Sequence, residues 1–331
     1  MHMRKLLLLS FTSLLFSSNS LWAQVDAHFT QYYACPLWLN PAFTGAINGS
    51  WRVTANYRRQ LPGIASPLIT QGLSGDIVLP KNFGLGLTIL NQVTGDGSYH
   101  NTSGYISAAY QVHLTQYKIL IGGFQIGMLN RRIDPAKLQF GNQFNPVIGY
   151  DPTMPSNELF INQSASSFDG SLGLMYFDGN PSKSVNPFIG VSLYHPTAPN
   201  SRFLSGANDN KVPVRYSVHG GIRFQLGARA ELIPHALYLQ QGNANELAGG
   251  LVCNLKMEEG KELIVGSTYR LHDAIAPNIG LHVNGLTIGF SYDINISQLK
   301  TVSSSNGGYE LSISFTNQKK TPDTRFICPR L

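Results

Sequence analysis

From residue 50 to residue 318 the chain alternates apolar and polar positions with a period of two. Between Val214 and Leu226 one face reads Val214, Tyr216, Val218, Gly220, Ile222, Phe224 and Leu226; the other reads Arg215, Ser217, His219, Gly221, Arg223 and Gln225. The contrast recurs in Leu286, Ile288, Phe290, Tyr292 and Ile294 against Thr287, Gly289, Ser291, Asp293 and Asn295. It recurs again in Tyr309, Leu311, Ile313 and Phe315 against Glu310, Ser312, Ser314 and Thr316. A helix cannot hold such a pattern on one face, whereas a strand does so necessarily. Strands are predicted near 50–59, 67–79, 83–93, 103–114, 118–130, 167–178, 186–195, 213–226, 230–241, 245–256, 261–271, 276–284, 286–294 and 308–318, about fourteen in all. Most reach the ~9–11 residues that cross a bilayer at a tilt.

The ends of the chain break the pattern. Residues 1–23 carry Arg4 and Lys5, an apolar run from Leu6 to Phe16 and a small residue at Ala23, the layout of a secretory signal peptide. Residues 24–49 hold Pro36 and Pro41, which keep them out of a sheet, yet Phe29, Tyr32, Tyr33, Leu37, Trp38, Leu39 and Phe43 are too apolar to stay solvated. This segment is predicted to pack at the turn-side mouth or inside as a plug, followed by a barrel over 50–318 and a tail over 319–331.

Alternation alone does not separate a soluble sandwich from a membrane barrel. Connection lengths do: every second link is short, as at 79–83, 114–118, 226–230 and Asn284-Gly285. The links at 94–102, 131–166, 196–212 and 295–307 are long. Tight turns on one side and long loops on the other describe an outer-membrane barrel with both termini on the periplasmic side. Only 13% of residues are charged, and no stretch after the signal is apolar enough to span as a helix, so crossing a membrane requires a closed barrel. Strand glycines such as Gly84, Gly86, Gly122, Gly123, Gly220 and Gly249 are read as relief for a bent sheet. Trp51, Tyr57, Tyr194, Tyr238, Tyr269 and Tyr309 are candidates for interfacial girdles.

The net charge of +6 is scattered, with no basic block of the kind nucleic acid needs. Cys35, Cys253 and Cys328 show no metal-binding spacing, and no cofactor motif is present. Cys35 and Cys328 each precede a proline and flank the repetitive region, which makes them a candidate disulfide. His113, His219 and His282 fall on inward faces with Asp76, Asp293 and Glu310, but no nucleophile elbow, zinc-protease or Walker motif accompanies them, so no enzyme is predicted. Arg52, Arg58, Arg215, Arg223 and Arg270 point inward, where they either pair with carboxylates or form an anion-selective constriction.

The stretch DAHFTQYYACPLWLNPAFTG at 26–45 resembles the N-terminal signature of the PorP/SprF family. The likeness continues through Trp51-Arg52-Val53-Thr54-Ala55-Asn56-Tyr57-Arg58, Gln60 with Pro62-Gly63, Phe83-Gly84-Leu85-Gly86-Leu87, Thr94-Gly95-Asp96-Gly97 and the C-P-R terminus at Cys328-Pro329-Arg330. Cys35 replaces the family's usual small polar residue, and Leu331 its usual terminal aromatic. The resemblance implies a non-enzymatic outer-membrane protein of type IX secretion and gliding motility in a Gram-negative bacterium. Its implied partners are the C-terminal domain of a secreted adhesin or other cargo, periplasmic ring components, and outer-membrane lipid. The matching positions Asp26, His28, Phe29, Gln31, Tyr32, Tyr33, Pro36, Leu37, Leu39, Asn40, Pro41 and Gly45 form the candidate partner-binding or plug segment. An outer-membrane pore or solute transporter is the alternative.

Overall fold

The computed structural model describes residues 26–317 except 62–66, 95–96, 159, 161, 201–210 and 299, and no side chain at 302. The signal peptide, the 319–331 tail, Cys328 and parts of the matching 60–63 and 94–97 stretches therefore lie outside the described residues.

The alternating segments form a closed antiparallel barrel of 14 strands. In chain order these are β1 Trp51–Gln60, β2 Leu68–Leu79, β3 Phe83–Thr94, β4 Tyr99–His113, β5 Lys118–Ile133, β6 Ser164–Asp178 and β7 Val185–Tyr194. They continue with β8 Arg215–Leu226, β9 Ala230–Gln241, β10 Ala244–Glu258, β11 Lys261–Arg270, β12 Ala274–Val283, β13 Leu286–Asn295 and β14 Asn306–Thr316. Each strand pairs with its chain neighbours, and β1 closes on β14 from Arg52↔Thr316 to Gln60↔Gly308. Closure leaves no open sheet edge, the condition for strands in a bilayer.

The burial pattern is inverted relative to a water-soluble protein. Leu73, Leu87, Ile106, Phe124, Ile126, Leu172, Ile189, Val218, Ile279 and Phe290 lie on the outer surface, while Thr54, Asn56, Ser74, Asp76, Gln125, Asp169, Arg215 and Glu310 are buried inside. The faces read from β8, β13 and β14 hold.

The structure also departs from the reading. Strand β4 begins at Tyr99 and β5 runs to Ile133, so the β3–β4 link shortens to 95–98. The links at 242–243 and 271–273 are tight turns on the side of the long loops. The loop asymmetry rests on 134–163, 195–214 and 296–305. Within 134–163 a small hairpin pairs Phe144–Asn145 with Gly149–Tyr150. Tyr194 is not a girdle residue, because its parity matches inward Phe188 rather than outward Ile189, and it is fully buried.

Candidate functional site

Residues 26–47 occupy the lumen. Asp26 meets Gln241, Arg215 and His195, at the long-loop ends of β9, β8 and β7, whereas Gly45 meets Asp76 near the tight turn after β2. The segment thus descends the barrel from the long-loop half to the turn end and leads directly into β1. It spans the lumen rather than resting at the turn-side mouth. Its fold is local and short: 3-10 turns at Tyr32–Ala34 and Pro41–Phe43 flank a helical turn at Pro36–Leu39. Pro36 and Pro41 each sit in the first position of their turn, where a missing N–H costs nothing.

At the long-loop end, His195 is held between two carboxylates, with Nδ1 at 2.7 Å from Asp169 and Nε2 at 2.7 Å from Asp26. Arg215 reaches Asp26 at 3.2 Å and lies over the rings of Tyr194 and Trp38, and Tyr105 donates to Asp169 at 2.6 Å. Burial alone would depress the His195 pKa, but Asp26 and Asp169 outweigh it and hold the imidazolium up to about 9. Burial would likewise raise the Asp26 carboxyl, yet His195 and Arg215 keep it well below the usual carboxylate range.

A second charged cluster binds Thr30 and Gln31. Their backbone N–H groups donate to the Glu310 carboxylate at 2.7 and 3.1 Å. Arg58 and Arg270 both pair with Asp293 at 2.7 Å, and the Thr30 hydroxyl donates to Asp293 at 2.8 Å while accepting from Arg270 at 2.6 Å. Arg58 also donates to the His28 carbonyl at 2.9 Å.

Lower down, Tyr32 hydrogen-bonds His235, and the Asn40 amide donates to the Leu174 and Val191 carbonyls at 3.2 and 3.1 Å while its Oδ1 accepts from Ala42 N–H. Ser192 and Tyr194 donate to the Leu39 and Trp38 carbonyls at 3.0 and 2.7 Å. Gly123 faces Pro41 and Ala42 so closely that an added Cβ would lie 2.5 Å from the Pro41 carbonyl oxygen. Some glycines read as relief for sheet bending therefore make room for this segment instead. At the turn end Gly45 N–H donates to Asp76 at 2.8 Å, Gln111 donates to the Gly45 carbonyl at 2.9 Å, and Arg52 bridges Asp76 and the Phe43 carbonyl.

Apolar packing completes the fit. Tyr32, Leu39, Ala42 and Phe43 cluster with Ile119, Ile121, Met175, Phe177, Phe188 and Ile233 of the wall. Phe29, Cys35 and Trp38 pack on Leu90 and Tyr105. The lumen is therefore not polar throughout. Cys35 is buried and forms no disulfide among the described residues, and its candidate partner Cys328 lies outside them.

Of the predicted segment residues, Asp26, Gln31, Tyr32, Asn40 and Gly45 make the polar contacts. His28 contributes its carbonyl and approaches Glu246 at 3.9 Å, and Phe29, Tyr33, Leu37, Leu39 and the prolines pack. All five inward arginines have acceptors, Arg223 with Glu231 at 3.2 Å completing the set, so the pairing alternative holds over the anion constriction. Of the inward histidines, His219 contacts Asn40, His282 hydrogen-bonds the Thr287 hydroxyl, and His113 is exposed at its strand end. His195, Asp169 and His235 escaped the reading. Their partners are more than 100 residues away in sequence for Asp26 and Tyr32, and no local spacing carries that information.

The fold is shared with solved outer-membrane barrels. The chain is similar to the toluene transporter TbuX of Ralstonia pickettii, at 10% identity and a TM-score of 0.53 over 86% of this chain and 93% of that one. It is similarly related to the toluene transporter TodX of P. putida, at 10% identity and a TM-score of 0.52 over 85% and 93%. At such identity these likenesses concern the fold alone. No curated protein matches the chain in sequence. The model of the type IX secretion system membrane protein PorP/SprF, however, matches residues 21–315, which takes in the lumen segment and all but the end of the barrel that holds it. A 14-strand barrel filled by its own N-terminal signature segment is thus the form this sequence family takes here, and the chain belongs to the PorP/SprF family of type IX secretion system membrane proteins.

Proposed function

We propose that this protein is a non-enzymatic outer-membrane scaffold of type IX secretion and gliding machinery, supporting the secretion or surface anchoring of a cognate adhesin or other cargo. The observation carrying this reading is the occupied lumen. A segment tied to both ends of the barrel by buried ion pairs and hydrogen bonds suits a fixed platform better than a wide channel. The tight turns and the C-terminal tail face the periplasm and its ring components, the long loops face outward toward the cargo's C-terminal domain, and the outer band faces lipid. Asp26 stands in the outward half of the lumen. Deleting the gene and assaying surface display of the adhesin encoded beside it tests the proposal: display should fall sharply, and unchanged secretion and display would refute it.

Solute passage is a second reading, favoured by one observation. The lumen segment leaves a cavity of about 130 Å³ against the β10–β14 wall.

A further inference from the structure

The shape of that cavity follows from strand register. The inward row Asn254, Ile264, Gly280, Gly289 and Ser312 runs across β10 to β14. Its two glycines, Gly280 and Gly289, contribute no side chains to this wall. One row nearer the turns, Glu262, His282, Thr287, Ser314 and Thr54 follow the same path. A smaller space of about 70 Å³ shares Tyr33, Ile264, Thr287 and Ser312 with the first. Ile47, Asn48 and Thr316 line the lower part, at the turn end of the barrel.

Most polar groups on this wall satisfy one another. His282 bonds Thr287 at 2.8 Å, Thr54 bonds Ser314 at 3.1 Å, Ser312 donates to Gln31 at 2.9 Å, and Arg52 holds Asp76. Three groups do not share in this. Asn254, only 5% exposed, has no partner for its Oδ1, and the buried Tyr33 hydroxyl has none either. Glu262 forms no ion pair among the described residues. Its cross-strand neighbour Lys256 is engaged by Glu231 at 3.0 Å, and adjacent Lys261 by Glu258 at 2.7 Å.

A carboxylate, an amide and a phenol therefore line one cavity. The two buried groups lacking partners are costly to leave so, and the half-buried Glu262 carboxylate beside them favours a donor that carries positive charge. Size narrows the class further. A cavity of roughly 150 Å³ holds a benzene-sized group, so this one takes a charged head on a short stem but no helix or strand.

We propose that the cavity is a subsite for a guanidinium or alkylammonium head, with Glu262 as counter-charge and Asn254 and Tyr33 as flanking acceptors, reached from the turn end. The head belongs either to an arginine or lysine side chain of a partner or to a free polyamine. The subsite does not depend on the secretion role.

Calorimetric titration of the full-length mature protein in detergent tests it, with Gly-Arg-Gly amide and putrescine as probes. Saturable binding should weaken about tenfold or more in Glu262→Gln and in Asn254→Leu. It should be unchanged in Glu258→Gln, which alters an exposed carboxylate outside the cavity. Replacing arginine by citrulline in the tripeptide should weaken binding similarly, a comparison that needs no protein variant and so survives misfolding of either lumen mutant. Tighter binding of the tripeptide assigns the subsite to a protein partner, and tighter binding of putrescine assigns it to a free polyamine. No saturable binding of either probe, or binding indifferent to both Glu262→Gln and citrulline, overturns the proposal.

Discussion

His195 concentrates the electrostatics of the lumen segment in a single side chain. It follows β7 directly, adopts a positive φ of 58°, and joins Asp26 of the segment to Asp169 of the wall. Because its pKa is raised to about 9, its contribution to stability is complete below about pH 6.5, the unfolded value, and is lost as pH climbs toward 9. Asp26 behaves oppositely: its depressed carboxyl contributes above about pH 4 and loses that contribution only in strong acid. Thermal unfolding in detergent should therefore show the wild type losing on the order of 2 kcal/mol between pH 6 and pH 9.5 relative to His195→Gln. Parallel pH profiles for the two proteins would contradict this assignment. None of it was legible locally, since a loop histidine becomes an ion-pair partner only when the fold brings Asp26 to it.

At the scale of elements, the lumen segment was readable as an object but not as a position. Pro36 and Pro41 excluded it from the sheet, and its aromatic side chains demanded cover. Where that cover lies was decided by the wall. Strand β5 begins Lys118-Ile119-Leu120-Ile121, apolar on both faces, and a strand buried on both faces reads that way. The rule that lumen faces are polar fails at the turn end because the segment's own apolar cluster packs there. Removal of residues 26–45 should produce a large, steady conductance in planar bilayers and lower the unfolding temperature of the barrel. A deletion variant that folds and conducts no better than wild type would show that the segment does not close the lumen.

For the whole molecule, the decisive feature is the reversal of inside and outside. Ile106, at the midpoint of β4, is 62% exposed, which on a soluble protein would be an unremarkable surface residue tolerant of charge. On a lipid-facing band, Ile106→Arg should cost about 2–4 kcal/mol in bilayer-reconstituted protein. Equilibrium unfolding from lipid vesicles measures that difference, and a change near zero would place the residue in water rather than lipid. The fourteen strands, their alternating faces and the tight turns after β2, β4, β8 and β12 were written in the sequence, because strand geometry is local and its period survives without neighbours. Barrel closure of β1 on β14, the path of the signature segment from Asp26 down to Gly45, and the pairing of each inward charge were decided only by the tertiary structure. The physical reason is that alternation tells each strand which face to hide, whereas a closed sheet chooses what stands opposite that face, across a lumen whose partners lie hundreds of residues apart.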